Sequence, residues 1–207
     1  MADIQMTRTQ RTGSSWKRAM MLLLAGAATL SPVGAAHGKE CLGVQFPDRT
    51  GVDGSTLALN GLGLRQATML KVNVYIAALY VTKPSADSDA ILAQAPPKQL
   101  VLHFVRGVGR SDLNKAWDEG FEANAKGQLT ALKERIEKLK TLMPDMKSGE
   151  QLSFTHKSGK GIAVDVGGAP KGMIEGDDFA KGLLSIWLGP NPPNAGLKAG
   201  LLGGPCG

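Results

Sequence analysis

The sequence predicts an α+β fold in which one large antiparallel sheet is covered by helices on one face. Strands and helices are segregated along the chain more than they alternate, which points to an antiparallel sheet. The two strongest helical patterns, Leu113-Trp117-Phe121 and Phe179-Leu183-Ile186-Trp187, each carry a single apolar stripe and must bury it against a common layer. No internal repeat or linker divides the chain, so one core is expected.

Residues 1–36 read as a secretory signal, the rival reading being an uncleaved membrane anchor. Arg8, Arg11, Lys17 and Arg18 form a basic start, and the apolar run Ala19 to Leu30 is too short to span a bilayer stably. Ser31 and Pro32 break that run, and Val33-Gly34-Ala35-Ala36 offers small residues for a cut near Ala35 or Ala36. The expected mature domain is residues 37–207, with no stable membrane insertion once the leader is gone.

Strand periodicity follows. From Thr56 to Ala67 apolar and small residues alternate, placing Leu57, Leu59, Gly61, Gly63, Arg65 and Ala67 on one face if the strand is regular. Val72 to Val81 is almost wholly apolar and rich in β-formers, as suits a strand buried on both faces. A short helix fits Asp87 to Gln94, capped by Asp87 or Ser88 and stopped by Pro96-Pro97. Gln99 to Val105 is the next strand. Beyond the Gly107-Val108-Gly109 turn, Ser111 and Asp112 read as an N-cap for the helix of Leu113, Trp117 and Phe121. Its continuation through Leu129, Leu132, Ile136, Leu139 and Met143 is expected to kink at Gly127 and end at Pro144. Gln151 to His156 and Gly161 to Val166 form a hairpin, with a short strand near Met173-Ile174 extending it. Asp177 or Asp178 is expected to cap the last helix, which Gly189-Pro190 closes.

Charge and cysteine content narrow the function classes. The formal net charge of +6 falls to +3 without the leader, with no basic stripe interleaved with aromatics, which argues against a nucleic-acid partner. The two cysteines, Cys41 and Cys206, stand near opposite ends of the mature domain. In an oxidising compartment they read as a bridge between the termini, the rival reading being two free thiols. Two isolated cysteines and three scattered histidines (His37, His103, His156) match no metal-ligand spacing, and no cofactor is implied.

Arg65 is the residue that asks for chemistry. No acidic residue occurs between Asp53 and Asp87, so the local sequence supplies no counter-ion for a guanidinium on an apolar strand face. An incoming carboxylate could serve, with Tyr75 on the neighbouring strand adding its hydroxyl. Pairing with a distant Asp or Glu, or extension to an edge, stays open. Gly61-Leu62-Gly63 lacks the Lys-Ser/Thr of a phosphate loop, Ser111 has no histidine nearby, and His103 reads as a core or edge histidine.

Four separated blocks resemble the bacterial chalcone-isomerase-like family: Leu59 to Arg65, Val74 to Val81, Ala116 to Phe121, and Phe179 to Gly189. The resemblance implies an open-faced β-sandwich of chalcone isomerase type, with a ligand cleft between the large sheet and its helices. It further implies a periplasmic or secreted protein. In that family the enzymes close a chalcone to a flavanone, while fatty-acid-binding relatives hold the carboxylate with an arginine and a tyrosine on adjacent strands. Arg65 and Tyr75 fall at those positions. The enzymes' catalytic tyrosine would fall near Arg110 to Asp112, where this chain has none. The resemblance therefore favours non-catalytic binding of a fatty acid or similar small apolar carboxylate. Two alternatives stay open: an isomerase (intramolecular lyase) acting on a chalcone-like enone, and a structural or partner-binding protein with an occluded cleft.

Overall fold

The computed structural model describes residues 38–206, so the signal peptide expected over residues 1–36 lies outside the described residues. A small hairpin, β1 (Lys39–Cys41) and β2 (Val44–Phe46), precedes a seven-stranded sheet. The sheet runs β3 (Arg49–Val52), β4 (Ser55–Ala67), β5 (Val72–Val81), β6 (Lys98–Phe104), β7 (Gln151–Lys157), β8 (Gly161–Val166) and β9 (Ala169–Ile174). Strand order follows chain order and every neighbour is antiparallel. The helices are α1 (Ser88–Ala93), α2 (Arg110–Asn124), α3 (Leu129–Thr141), α4 (Asp177–Leu188) and α5 (Ala195–Leu201), with a 3-10 turn at Lys126–Gln128 where the kink was expected.

The central strand β5 is apolar on both faces because both are covered. Tyr75, Ala77, Leu79 and Val81 join Phe104, Phe154, Trp117, Phe121, Phe179 and Trp187 in the core beneath the helices. Ile76, Ala78 and Tyr80 face the other way and pack with Leu57, Leu59, Leu62, Leu64 and Phe46. Leu197 and Leu201 place α5 in the first of these clusters, so the helices share one face of the sheet. A disulfide joins Cys41 to Cys206 with Cα atoms 6.0 Å apart, next to the second cluster.

The face assignment expected for β4 fails at its middle. The register against β5 slips between Leu59 and Gly61, a β-bulge at Asn60. Leu57 and Leu59 therefore face the second cluster, whereas Gly61, Gly63 and Arg65 face the helices. The bulge has a purpose in packing. Asn60 is buried, and its amide donates to Leu201 O at 2.7 Å and Ser85 O at 3.0 Å while its carbonyl accepts from Ser85 N at 2.7 Å. Turning the strand brings Gly61 and Gly63 under α5. A Cβ on Gly61 would sit 2.1 Å from Gly200 O, and one on Gly63 2.1 Å from Leu197 O, so helix backbone lies directly on strand backbone.

Two caps also differ from expectation. Gly109 precedes α2 without a side-chain bond, leaving Ser111 and Asp112 inside the first turn. Gly176, at φ 100°, precedes α4, so neither Asp177 nor Asp178 is its cap. Asp87 does cap α1, accepting from Asp89 N and Ala90 N. Strands β1 to β3 and helix α5 had no counterpart in the sequence reading, the strands being three or four residues long and α5 carrying two glycines.

Candidate functional site

Arg65 and Tyr75 are directly opposed across the β4–β5 ladder and point to the helix-covered face. Tyr75 is only 9% exposed. Phe104, its partner on β6, packs edge-on at 5.6 Å between ring centroids. From above, Trp187 at the end of α4 donates its indole N–H to the Tyr75 hydroxyl oxygen at 3.0 Å, a buried bond. Among the described residues that hydroxyl has no acceptor for its own proton. Burial pushes the Tyr75 pKa up to about 12, opposed by the Trp187 hydrogen bond and the Arg65 charge.

Arg65 is half-buried at the rim of this core. Its Nη1 donates to the carbonyl of Gln66 and to that of Pro193 at 3.2 Å. No ion pair among the described residues includes Arg65. The guanidinium has five N–H donors, so its charge and most of its donor capacity remain open. Asn194 ties the preceding loop across the same strand end, accepting from Gln66 N at 3.2 Å and donating to Leu64 O at 3.1 Å. The arrangement can hold one carboxylate: a forked pair from arginine and a hydroxyl donor from tyrosine.

Space beside the pair is filled in this conformation. Phe104 and Trp187 pack on Tyr75, and Leu197 packs over Gly63. Two surface cavities of about 690 and 530 Å³ lie elsewhere, one beside Arg135, Lys160 and Glu175, the other beside Asp53, Gln99, Thr155 and Lys157.

At the far end of α4 is a second polar cluster that the sequence reading missed. His156 and Lys98 are directly opposed on β7 and β6, both almost fully buried. His156 Nε2 bonds the Asp177 carboxylate at 2.8 Å, and Lys98 Nζ donates to Gln94 O. Burial lowers the Lys98 pKa, opposed by the charge of Asp177. Asp178, next along, accepts a forked pair from Arg135 at 2.6 and 2.7 Å. A signal was there to read. Lys98 alternates in phase with Leu100, Leu102 and Phe104, and His156 with Leu152 and Phe154, which puts both on the inner face. His103 has the other phase and lies edge-on to Phe46 at 6.2 Å on the outer face. Ser111 is exposed on α2.

A family model described as chalcone isomerase-like matches residues 38–203. Among solved structures, the crystal structure of a fatty-acid binding protein from Arabidopsis thaliana is similar to this chain with a TM-score of 0.61. The two are 16% identical, and the match covers 77% of this chain and 92% of that one, which shows a shared fold. No curated protein sequence matches the chain.

Proposed function

Because the chain belongs to the chalcone isomerase-like family, we propose that it binds a fatty acid or similar small apolar carboxylate, anchored by Arg65 and Tyr75. The observation that carries this reading is the opposed pair itself: a guanidinium without a carboxylate partner beside a buried hydroxyl whose proton has no acceptor, both among the described residues. A carboxylate would complete both. The shared fold with a fatty-acid binding protein supports it. The disulfide and the leader reading support an exported, periplasmic or secreted location.

Entry of an acyl tail requires the cover to yield. The C-terminal end of that cover is tied by the Cys41–Cys206 disulfide and the Asn60 bond to Leu201. Its N-terminal end, residues 189–194, is held over Arg65 by the bonds of Pro193 and Asn194 and to α2 by Asn191, which exchanges hydrogen bonds with Asn124 and donates to Ala123 O. The carboxylate would replace Pro193 O on Arg65, and residues 189–194, which lie over Arg65, would release these bonds to admit the tail.

The test is titration of lauric acid into wild type and Arg65→Ala. Loss of a charge-assisted, forked contact is expected to weaken binding by about 2–3 kcal/mol, roughly 30- to 150-fold. Equal affinities would remove Arg65 as anchor. The filled core around Tyr75 favours a second reading, a structural or partner-binding protein. That reading requires native mass spectra free of any bound acid and no lauric acid binding by wild type.

A further inference from the structure

The turn between β4 and β5 presents Met69 fully exposed and Leu70 86% exposed, against 54% for Leu42, the other exposed large apolar side chain among the described residues. The last ladder pair is Ala67 opposite Val72, and Lys71 N donates to Thr68 O at 3.1 Å. Met69 and Leu70 thus occupy the two corners of a tight turn and have no surface to fold back on. Thr68 and Lys71 flank them at φ 63° and 51°, a left-handed conformation that is an outlier for a β-branched residue. A solvated hairpin tip carries glycine, asparagine or aspartate at such places. Here the chain keeps two large apolar side chains in water instead.

Charge at this end of the sheet is positive. Lys71 is exposed in the turn, Arg65 is half-buried on the same hairpin, and exposed Arg106 follows β6, where Val105 N bonds Val74 O. The hairpin carries no acidic residue, since none occurs between Asp53 and Asp87. Glu150, whose carboxylate accepts from Lys147 N at 2.7 Å, is an acidic residue near the end of β6, against the three cations Lys71, Arg65 and Arg106. From Arg65 to the last ladder residue, Ala67, is two residues, about 7 Å of strand, and the turn follows. Apolar side chains of surface-bound elements reach roughly 5–10 Å into the boundary between headgroups and acyl chains, which sets Lys71, next to Leu70 in the turn, at the level of the phosphates.

We propose that the Thr68–Lys71 turn is a docking tip for the surface of an anionic phospholipid bilayer, with Met69 and Leu70 entering the acyl boundary and Lys71 meeting the headgroups. The tip lies beyond the anchor on the same hairpin, so docking would set the carboxylate site against the bilayer. The docking itself is independent of fatty-acid binding and is read with no fatty acid present.

The experiment compares the full chain with Met69→Ser/Leu70→Ser, so that residues 1–37 contribute equally, on mixed phosphatidylcholine–phosphatidylglycerol vesicles. Partial burial of two such side chains corresponds to a loss in partitioning on the order of 10- to 100-fold in the double variant. Lys71→Gln should lose roughly fivefold on anionic vesicles and nothing on pure phosphatidylcholine. Leu70→Trp reports the tip directly, with a blue shift and quenching by brominated acyl chains expected on vesicle addition. Equal partitioning of wild type and the double variant, or a Leu70→Trp emission unmoved by vesicles, overturns the proposal. Retained lauric acid affinity in the double variant separates this outcome from any failure of the binding site.

Discussion

Tyr75→Phe tests the buried end of the site through stability alone. Removing the hydroxyl leaves the Trp187 N–H, now bonded at 3.0 Å in the core, without an acceptor. A buried donor left unsatisfied costs about 1–3 kcal/mol. At about 2–4 °C per kcal/mol for a domain of this size, the melting midpoint should fall by roughly 2–12 °C. A second effect opposes it at alkaline pH. The folded-state pKa of Tyr75 is raised from 10.0 to about 12 by burial. Its neutral form is therefore favoured by folding, so the contribution is full below pH 10 and is lost as pH rises toward about 12. Two pKa units correspond to roughly 3 kcal/mol. The phenylalanine variant has nothing to ionise there and escapes that loss. Urea denaturation followed by near-UV circular dichroism, repeated from neutral to alkaline pH, should show the variant less stable below pH 10 and converging on wild type above it. Parallel curves, with a deficit that never narrows, would refute a buried, Trp187-bonded hydroxyl.

Two further perturbations test how the cover is fixed. Gly63→Ala places a Cβ 2.1 Å from Leu197 O, against backbone that cannot swing aside, and should destabilise by about 1–3 kcal/mol. Gly51→Ala, with nothing within 4 Å of the added Cβ, is the control, and equal chemical denaturation midpoints would show that α5 does not sit on β4. Cys206→Ser opens a bridge between residues 165 apart in sequence. The loop-entropy model gives a loss of up to about 5 kcal/mol, a fall in melting midpoint on the order of 10 °C. Ellman titration of the denatured, unreduced wild type should find no free thiol from this pair.

The layer order of the fold was legible because it rests on long periodic segments. The apolar run of β5 and the four-residue stripes of α2 and α4 required a sheet buried on both sides and helices on one. The pieces that escaped are those whose stability is tertiary. Strands β1 to β3 are too short to display a period, and α5 is a seven-residue helix with two glycines that exists because Gly61 and Gly63 let it approach. Capping failed where the cap came from elsewhere: Gly176 turns the chain into α4 at φ 100°, and the first N–H of α2, on Arg110, is taken by the carboxylate of Asp145 at 2.7 Å, 35 residues away.

The site shows the same division more sharply. Arg65 was singled out for the absence of an acid nearby in sequence, and no ion pair among the described residues includes it. The reasoning that aimed it was wrong, because strict alternation put it with Leu57 and Leu59. One extra residue, Asn60, reverses the phase from Gly61 to Arg65, before the ladder slips again at Gln66, and only the reversed phase sets Arg65 opposite Tyr75 on the helix face. The signal for that reversal was a polar asparagine inside an apolar strand followed by two glycines at alternate positions. A buried asparagine needs partners, and those partners, Ser85 and Leu201, lie 25 and 141 residues away. The bulge that positions the candidate anchor is therefore specified by contacts that no local window contains, and the same contacts fix the helix that covers it.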